Sequence, residues 1–163
     1  MLSNILAFGK AWMSQIHSRR KASHRYRQKA AVHRHDTLAE IQGKDAFARR
    51  IAYLRKLDPL VFEELVLDGF KRKGCLVERG TRYSGDGGLD GKVFRDNHWI
   101  GIQCKRYKDA IQTAHVKQFG RDLSRFGLTE GYFVHTGRTP AGLRHRYGQI
   151  IILSGQELID FLV

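Results

Sequence analysis

Cysteine and proline are scarce, at two each in 163 residues, and so are acids, with 16 Asp and Glu against 29 Lys and Arg. Cys75 and Cys104 alone build neither a disulfide framework nor a cysteine-based zinc cluster. A reducing compartment, the cytoplasm, is therefore the expectation. Lys10 interrupts the N-terminal apolar stretch well short of the ~20 residues that span a bilayer. No basic region precedes that stretch and no small-residue cleavage site follows it, which argues against a secretory signal. Repeats and low-complexity tracts are also missing. What is present is 42% apolar and 10% aromatic residues, enough for a packed core, which argues against wholesale disorder. The length suits one ordinary domain, or a small domain with an appendage.

The formal net charge of +13 points to a polyanionic partner, either nucleic acid or an anionic membrane surface. It is unevenly spread. Residues 1–57 carry 13 basic and 3 acidic side chains, a net of +10, whereas residues 58–163 carry 16 and 13, a net of +3. The division predicts a basic, helical N-terminal extension over 1–57 and an α/β domain over 58–163. Within the extension, Leu2, Ile5, Leu6, Met13 and Ile16 fall at helical spacing, flanked by Phe8 and Trp12. Two readings of that stripe stand: packing on the core or on a second copy of the chain, or contact with an anionic membrane. The basic run from Arg19 to Lys29 follows, and His17, His24, His33 and His35 are expected to be solvated additions to it. A second helix is predicted from about Thr37 to Leu57, burying Ala39, Ile41, Phe47, Ile51 and Leu54. Its Arg49, Arg50, Arg55 and Lys56 would prolong the basic surface.

Asp58-Pro59 marks a helix start, with Asp at the N-cap and Pro in the first turn, and Phe62, Leu65, Val66 and Phe70 supply its buried stripe. A short strand at Cys75–Glu78 precedes the glycine-rich stretch from Tyr83 to Gly91. Strands at Leu89–Phe94 and Trp99–Tyr107 follow, joined by a four-residue loop at 95–98. A helix over Gln112–Phe126 and a strand at Gly131–His135 come next. Thr139-Pro140 is expected to open a short helix reaching Tyr147. After a strand at Gln149–Leu153, Ser154 and Glu157 form a capping-box pattern for a terminal helix. The order α-β-β-β-α-β-α-β-α predicts a mixed sheet with helices on its faces.

Strand alternation puts Ile100, Ile102 and Cys104 on one apolar face and Gln103 with Lys105 on the other. If Phe94 faces Trp99, Asp90 lies directly opposite Gln103, at a Cβ separation of about 4.5–5.5 Å. Lys105 lies one same-face step along. A carboxylate, an amide and an ammonium thus gather beside a glycine-rich bend. Such oxygen donors suit Mg²⁺, which retains waters and binds phosphate oxygens, while a lysine stabilises developing charge. The preceding helix offers Glu63 or Glu64 to complete the set. The competing reading is a surface hairpin with an incidental Asp90–Lys105 ion pair.

The ordered set Phe62-Glu63, Gly85-Asp86-Gly87-Gly88-Leu89-Asp90-Gly91 and Gln103-Cys104-Lys105 resembles the catalytic domain of Mrr-type restriction endonucleases, within the PD-(D/E)XK nuclease superfamily. The resemblance covers about Asp58 to Val163. It implies a restriction-endonuclease-like mixed sheet flanked by helices and Mg²⁺-dependent hydrolysis of DNA phosphodiesters, with Mn²⁺ as a substitute. By the resemblance, Asp90 is the metal-binding aspartate, Lys105 the catalytic lysine, Glu63 the helix glutamate and Gln103 the variable acidic position. The metal ligands would then be Asp90, Gln103 and Glu63. Gln103 brings no charge, so weaker metal affinity is expected than with a carboxylate. His135 stands where the family more often has Thr and is expected to be structural, as Asp86 is expected to cap its loop. Arg82, Tyr83, Lys92, Arg106, Lys108 and Lys117 lie beside the site as candidate nucleic-acid contacts. A homodimer is expected, since one site cuts one strand. The leading reading is a restriction nuclease acting on foreign or modified DNA in defence. The alternatives are a non-catalytic DNA-binding protein on the same fold and a repair- or junction-directed nuclease.

Overall fold

The computed structural model describes Ser23 and residues 25–80 and 88–163. The N-terminal stripe Leu2–Ile16 and the segment 81–87, with Arg82, Tyr83 and Asp86, lie outside the described residues. Helix α1 occupies residues 25–40, followed by α2 (Ala46–Lys56) and α3 (Pro59–Arg72). The chain continues through β1 (Leu76–Arg79), β2 (Gly91–Arg95), β3 (His98–Lys105), α4 (Thr113–Arg125), β4 (Gly131–His135), α5 (Leu143–Arg146), β5 (Ile150–Ser154) and α6 (Gly155–Leu162). The five strands form one sheet in sequence order. β1, β2 and β3 run antiparallel, and β3, β4 and β5 run parallel, so the sheet is mixed as expected.

Each sheet face carries its own core. On one face Ile100, Ile102, Cys104 and Val134 meet Phe62, Leu65 and Val66 of α3 and Leu158 and Ile159 of α6. Ala31, Leu38, Ile51, Leu54 and Leu57 belong to the same cluster, so α1 and α2 share the core of the strands that follow them. On the other face Phe133, Ile150 and Ile152 meet Val116, Phe119 and Leu123 of α4 and Leu143 of α5. Burying a side chain of this size contributes about 1.5–3 kcal/mol. Among the described residues no helix is long and apolar enough to cross a membrane.

Several local expectations fail for identifiable reasons. The single helix expected over Thr37–Leu57 is two, because Gly43 adopts a φ of +100° between them. That turn leaves Ala39 and Phe47 exposed while Ile51 and Leu54 remain buried. His35 is buried instead of solvated, its Nδ1 2.8 Å from the Leu162 carbonyl. The hairpin turn has two residues, not four: Asp96 and Asn97 take left-handed backbone (φ 50° and 67°), so Arg95 still pairs with His98. The Thr139-Pro140 helix shortens to Leu143–Arg146, with left-handed Gly142 before it. The capping box does not form, since Arg144 takes both of its side chains: Nη1 lies 2.6 Å from Glu157 Oε2 and Nη2 3.0 Å from Ser154 Oγ. Asp58 caps as expected, its Oδ1 accepting the Leu60 and Val61 N–H groups.

Candidate active site

The β2–β3 register is the expected one, with Phe94 opposite Trp99 and Gly91 opposite Ile102. Asp90 extends that ladder by one residue. Its N–H donates to the Ile102 carbonyl at 2.9 Å, and its own carbonyl accepts the Gly80 N–H at 2.8 Å. Backbone pairing therefore fixes the carboxyl group before any side-chain contact is made. Gln103 then donates from Nε2 to Asp90 Oδ2 at 2.7 Å, and the Cys104 N–H donates to the same oxygen at 2.6 Å. The capped start of α3 brings Glu63 within range of the charges of both Asp90 and Lys105. Its neighbour Glu64 turns elsewhere and is buried against Arg79, with Oε2 2.7 Å from Nε. Of the two helix glutamates, Glu63 is thus the one at the cluster.

Electrostatics set this group apart. Burial pushes the Glu63 carboxyl up to about 8, with the Asp90 charge adding to the rise and Lys105 opposing it. Burial likewise pushes Asp90 up to about 6, against the opposing pull of the Cys104 N–H, Lys105 and Gln103. Two carboxyls in one half-buried place are under-compensated, which favours protons or a cation beside them. The Lys105 side chain is exposed and makes no ion pair or hydrogen bond among the described residues. The incidental Asp90–Lys105 ion pair is absent there too.

The donor chemistry fits a hard divalent cation. Asp90 Oδ2 is occupied by two donors, while Oδ1 and the Glu63 carboxyl have none among the described residues. Gln103 is tied through its nitrogen, leaving its amide oxygen as a further donor. Among the described residues no group of three or more His, Cys, Asp and Glu is placed to hold a metal ion. Mg²⁺ does not require one, since it keeps several waters and takes one or two carboxylates.

The candidate contact residues separate. Lys92 is engaged within the sheet, its Nζ 3.0 Å from Glu78 Oε1 and 5.1 Å from the Trp99 ring centre. Arg106 turns inward and donates from Nη1 to the Arg55 carbonyl at 3.0 Å. Lys108 and Lys117 are exposed. His135 is fully buried, accepting the Gly137 N–H at Nδ1 and meeting Thr139 Oγ1 at Nε2, 3.1 Å in each case. Burial, with Arg144 nearby, lowers it to about 4, so it is a neutral structural histidine. Cys104 is buried in the core, as its place in the strand alternation predicts. Sequence reading missed the double role of Thr136, whose Oγ1 meets both the N–H and the carbonyl of Tyr107 at 3.0 Å. It also missed the stacking of the Tyr107 and His115 rings, whose centres lie 5.9 Å apart. Both depend on the parallel half of the sheet and on α4, beyond the reach of local spacing.

A family model, Mrr_cat, described as restriction endonuclease, matches residues 54–162. A comparison with curated proteins gave no match. Two solved structures are similar. One is the MspJI restriction endonuclease in complex with a 27-mer oligonucleotide, at 21% identity and a TM-score of 0.48, covering 74% of this chain and 32% of that one. The other is the restriction endonuclease FokI, at 14% identity and a TM-score of 0.46, covering 80% of this chain and 29% of that one. The chain thus spans about a third of the length of each.

Proposed function

Because the chain belongs to the Mrr catalytic-domain family of restriction endonucleases, we propose that it is a Mg²⁺-dependent endonuclease hydrolysing phosphodiester bonds in DNA, with Mn²⁺ able to replace Mg²⁺. The observation carrying this reading is the Glu63–Asp90 pair, two carboxyls raised by burial, Glu63 further by the Asp90 charge, beside an exposed Lys105. Asp90, Glu63 and the Gln103 amide oxygen would hold the ion. When bound, the ion supplies an activated water and neutralises phosphate charge.

The remaining work belongs to the chain's own groups. The Gln103 and Cys104 donors fix Asp90 Oδ2 and so leave the other carboxylate oxygen for the ion. The Lys105 ammonium stabilises the charge that develops on the attacked phosphate. Lys108 and Lys117, with Arg82 and Tyr83, are the proposed backbone contacts, which position DNA without reading its sequence. The proposed setting is restriction of foreign or modified DNA, by a homodimer in which each copy cuts one strand.

The test is cleavage of supercoiled plasmid with Mg²⁺, Mn²⁺ or chelator. Parent protein should nick or linearise it only with metal, and Asp90→Ala and Lys105→Ala should not. Cutting that survives both substitutions refutes the site. Comparing plain, methylated and branched duplexes separates restriction from junction or repair cleavage.

A further inference from the structure

We infer that Arg55 and Thr136 are positioning residues that hold the segment bearing Lys105, which makes α2 part of the catalytic scaffold. The inference rests on the proposed role of Lys105. Three successive residues, Lys105 at the end of β3 and the two that follow it, are each held. The Lys105 carbonyl accepts the Thr136 N–H at 3.4 Å, continuing the parallel ladder past β4. The Arg106 guanidinium donates back to the Arg55 carbonyl at the C-terminal end of α2, at 3.0 Å. Tyr107 is held at both its N–H and its carbonyl by the Thr136 hydroxyl.

Arg55 closes the ring by donating from Nε and Nη2 to the Thr136 carbonyl, at 3.1 and 2.9 Å. Gly137 allows the close approach this needs: a Cβ there would lie 2.5 Å from the Asp109 carbonyl oxygen and 2.8 Å from Tyr107 Cβ. The ring spans α2, the end of β3 and the end of β4, so a shift in any of the three is passed to the lysine's backbone. Lys105 has no ion pair of its own among the described residues, and its side chain begins from a backbone that only this ring and the ladder constrain. A misplacement of about 1 Å at such a group costs up to about a hundredfold in rate.

The variants are Thr136→Val, which keeps volume but removes the hydroxyl, Thr136→Ser, which restores it, and Arg55→Met, which keeps the stem but removes the donors. Steady-state plasmid cleavage per folded molecule should show kcat reduced about ten- to hundredfold in Thr136→Val and Arg55→Met, with KM within about twofold. Thr136→Ser should recover most of the loss. Amide hydrogen exchange provides a readout independent of turnover. Tyr107 should exchange at least about tenfold faster in Thr136→Val while Ile100 and Ile102 keep parental protection. A lower melting temperature with unchanged kcat, or unchanged Tyr107 exchange, overturns the inference and marks the ring as ordinary packing. If Thr136→Val does not fold, Arg55→Met decides alone through kcat. Parental cutting by Lys105→Ala is a separate outcome, which refutes the site reading itself.

Discussion

The antiparallel half of the sheet, β1 to β3, and the parallel half, β3 to β5, share one strand and divide the labour at the site. The antiparallel half supplies the groups of the proposed site: Asp90 and Gln103 are cross-strand neighbours in a tight hairpin, and their contact follows from a two-residue turn. The parallel half supplies alignment, since Thr136 beyond β4 fixes the residues that follow β3. Lys105 stands where the two meet, opposite His135 in the parallel register. A hairpin fixes its own geometry over a dozen residues, whereas a parallel pair depends on a crossover of much longer range. Reactive groups are therefore encoded locally here, and their placement globally.

The sharpest way to break that division is to remove the hairpin's reactive groups. Asp90→Ala and Lys105→Ala should each reduce the cleavage rate by about 10³-fold or more. That loss should exceed the one caused by Thr136→Val in the parallel half; equal losses would erase the distinction. Gln103→Glu adds a charge at the metal side while removing the donor to Asp90. The Mg²⁺ concentration giving half-maximal cleavage should fall about tenfold, equivalent to about 1.4 kcal/mol of added attraction. The metal-free protein should melt lower in the same variant, and thermal melts with and without Mg²⁺ check both effects.

A pH series sharpens the comparison further. Glu63 is raised from 4.5 to about 8, so its contribution to stability is fully present below about pH 4.5 and is lost as pH rises through 8. In metal-free protein Glu63→Gln should therefore melt above the parent at pH 8, with the gap closing near pH 4.5. A constant gap across that window would mean that Glu63 is not the group under strain. The smallest effect belongs to the far end of the hairpin. Asn97→Gly should stabilise by up to about 1 kcal/mol by relieving the left-handed backbone, while Asn97→Val should cost about 1–2 kcal/mol. Cleavage per folded molecule should be unchanged in both, because the turn lies about 17 Å along the strand from Asp90.

Legibility follows the same line. Asp58-Pro59, the hairpin register, the alternation that buries Ile100, Ile102 and Cys104, and the Asp90–Gln103 contact all rest on neighbours within a few residues or across one turn. Each of these was readable from spacing. The break at Gly43 was not, because the apolar positions on either side continue a helical pattern. Nor was the failure of Ser154 and Glu157 to cap α6, since Arg144 competes for both from another element. Arg55 reads as surface charge and Arg106 as a candidate nucleic-acid contact, yet each donates to a distant backbone carbonyl. An arginine's partner is a matter of tertiary placement, and long side chains bury their stems while composition records only their charge.

Both native thiols lie inside the fold, Cys75 at 7% and Cys104 at 5% exposure, and burial raises the Cys104 thiol well above its ordinary value. A maleimide added to the folded protein would therefore meet almost no reactive sulfur of its own. A single cysteine placed at exposed Lys117 would carry the whole label, and its fluorescence would follow the approach of a duplex to α4 without a background to subtract. The same burial protects the residue beside Lys105 from peroxide, so oxidation should leave the core of this fold chemically silent until it unfolds.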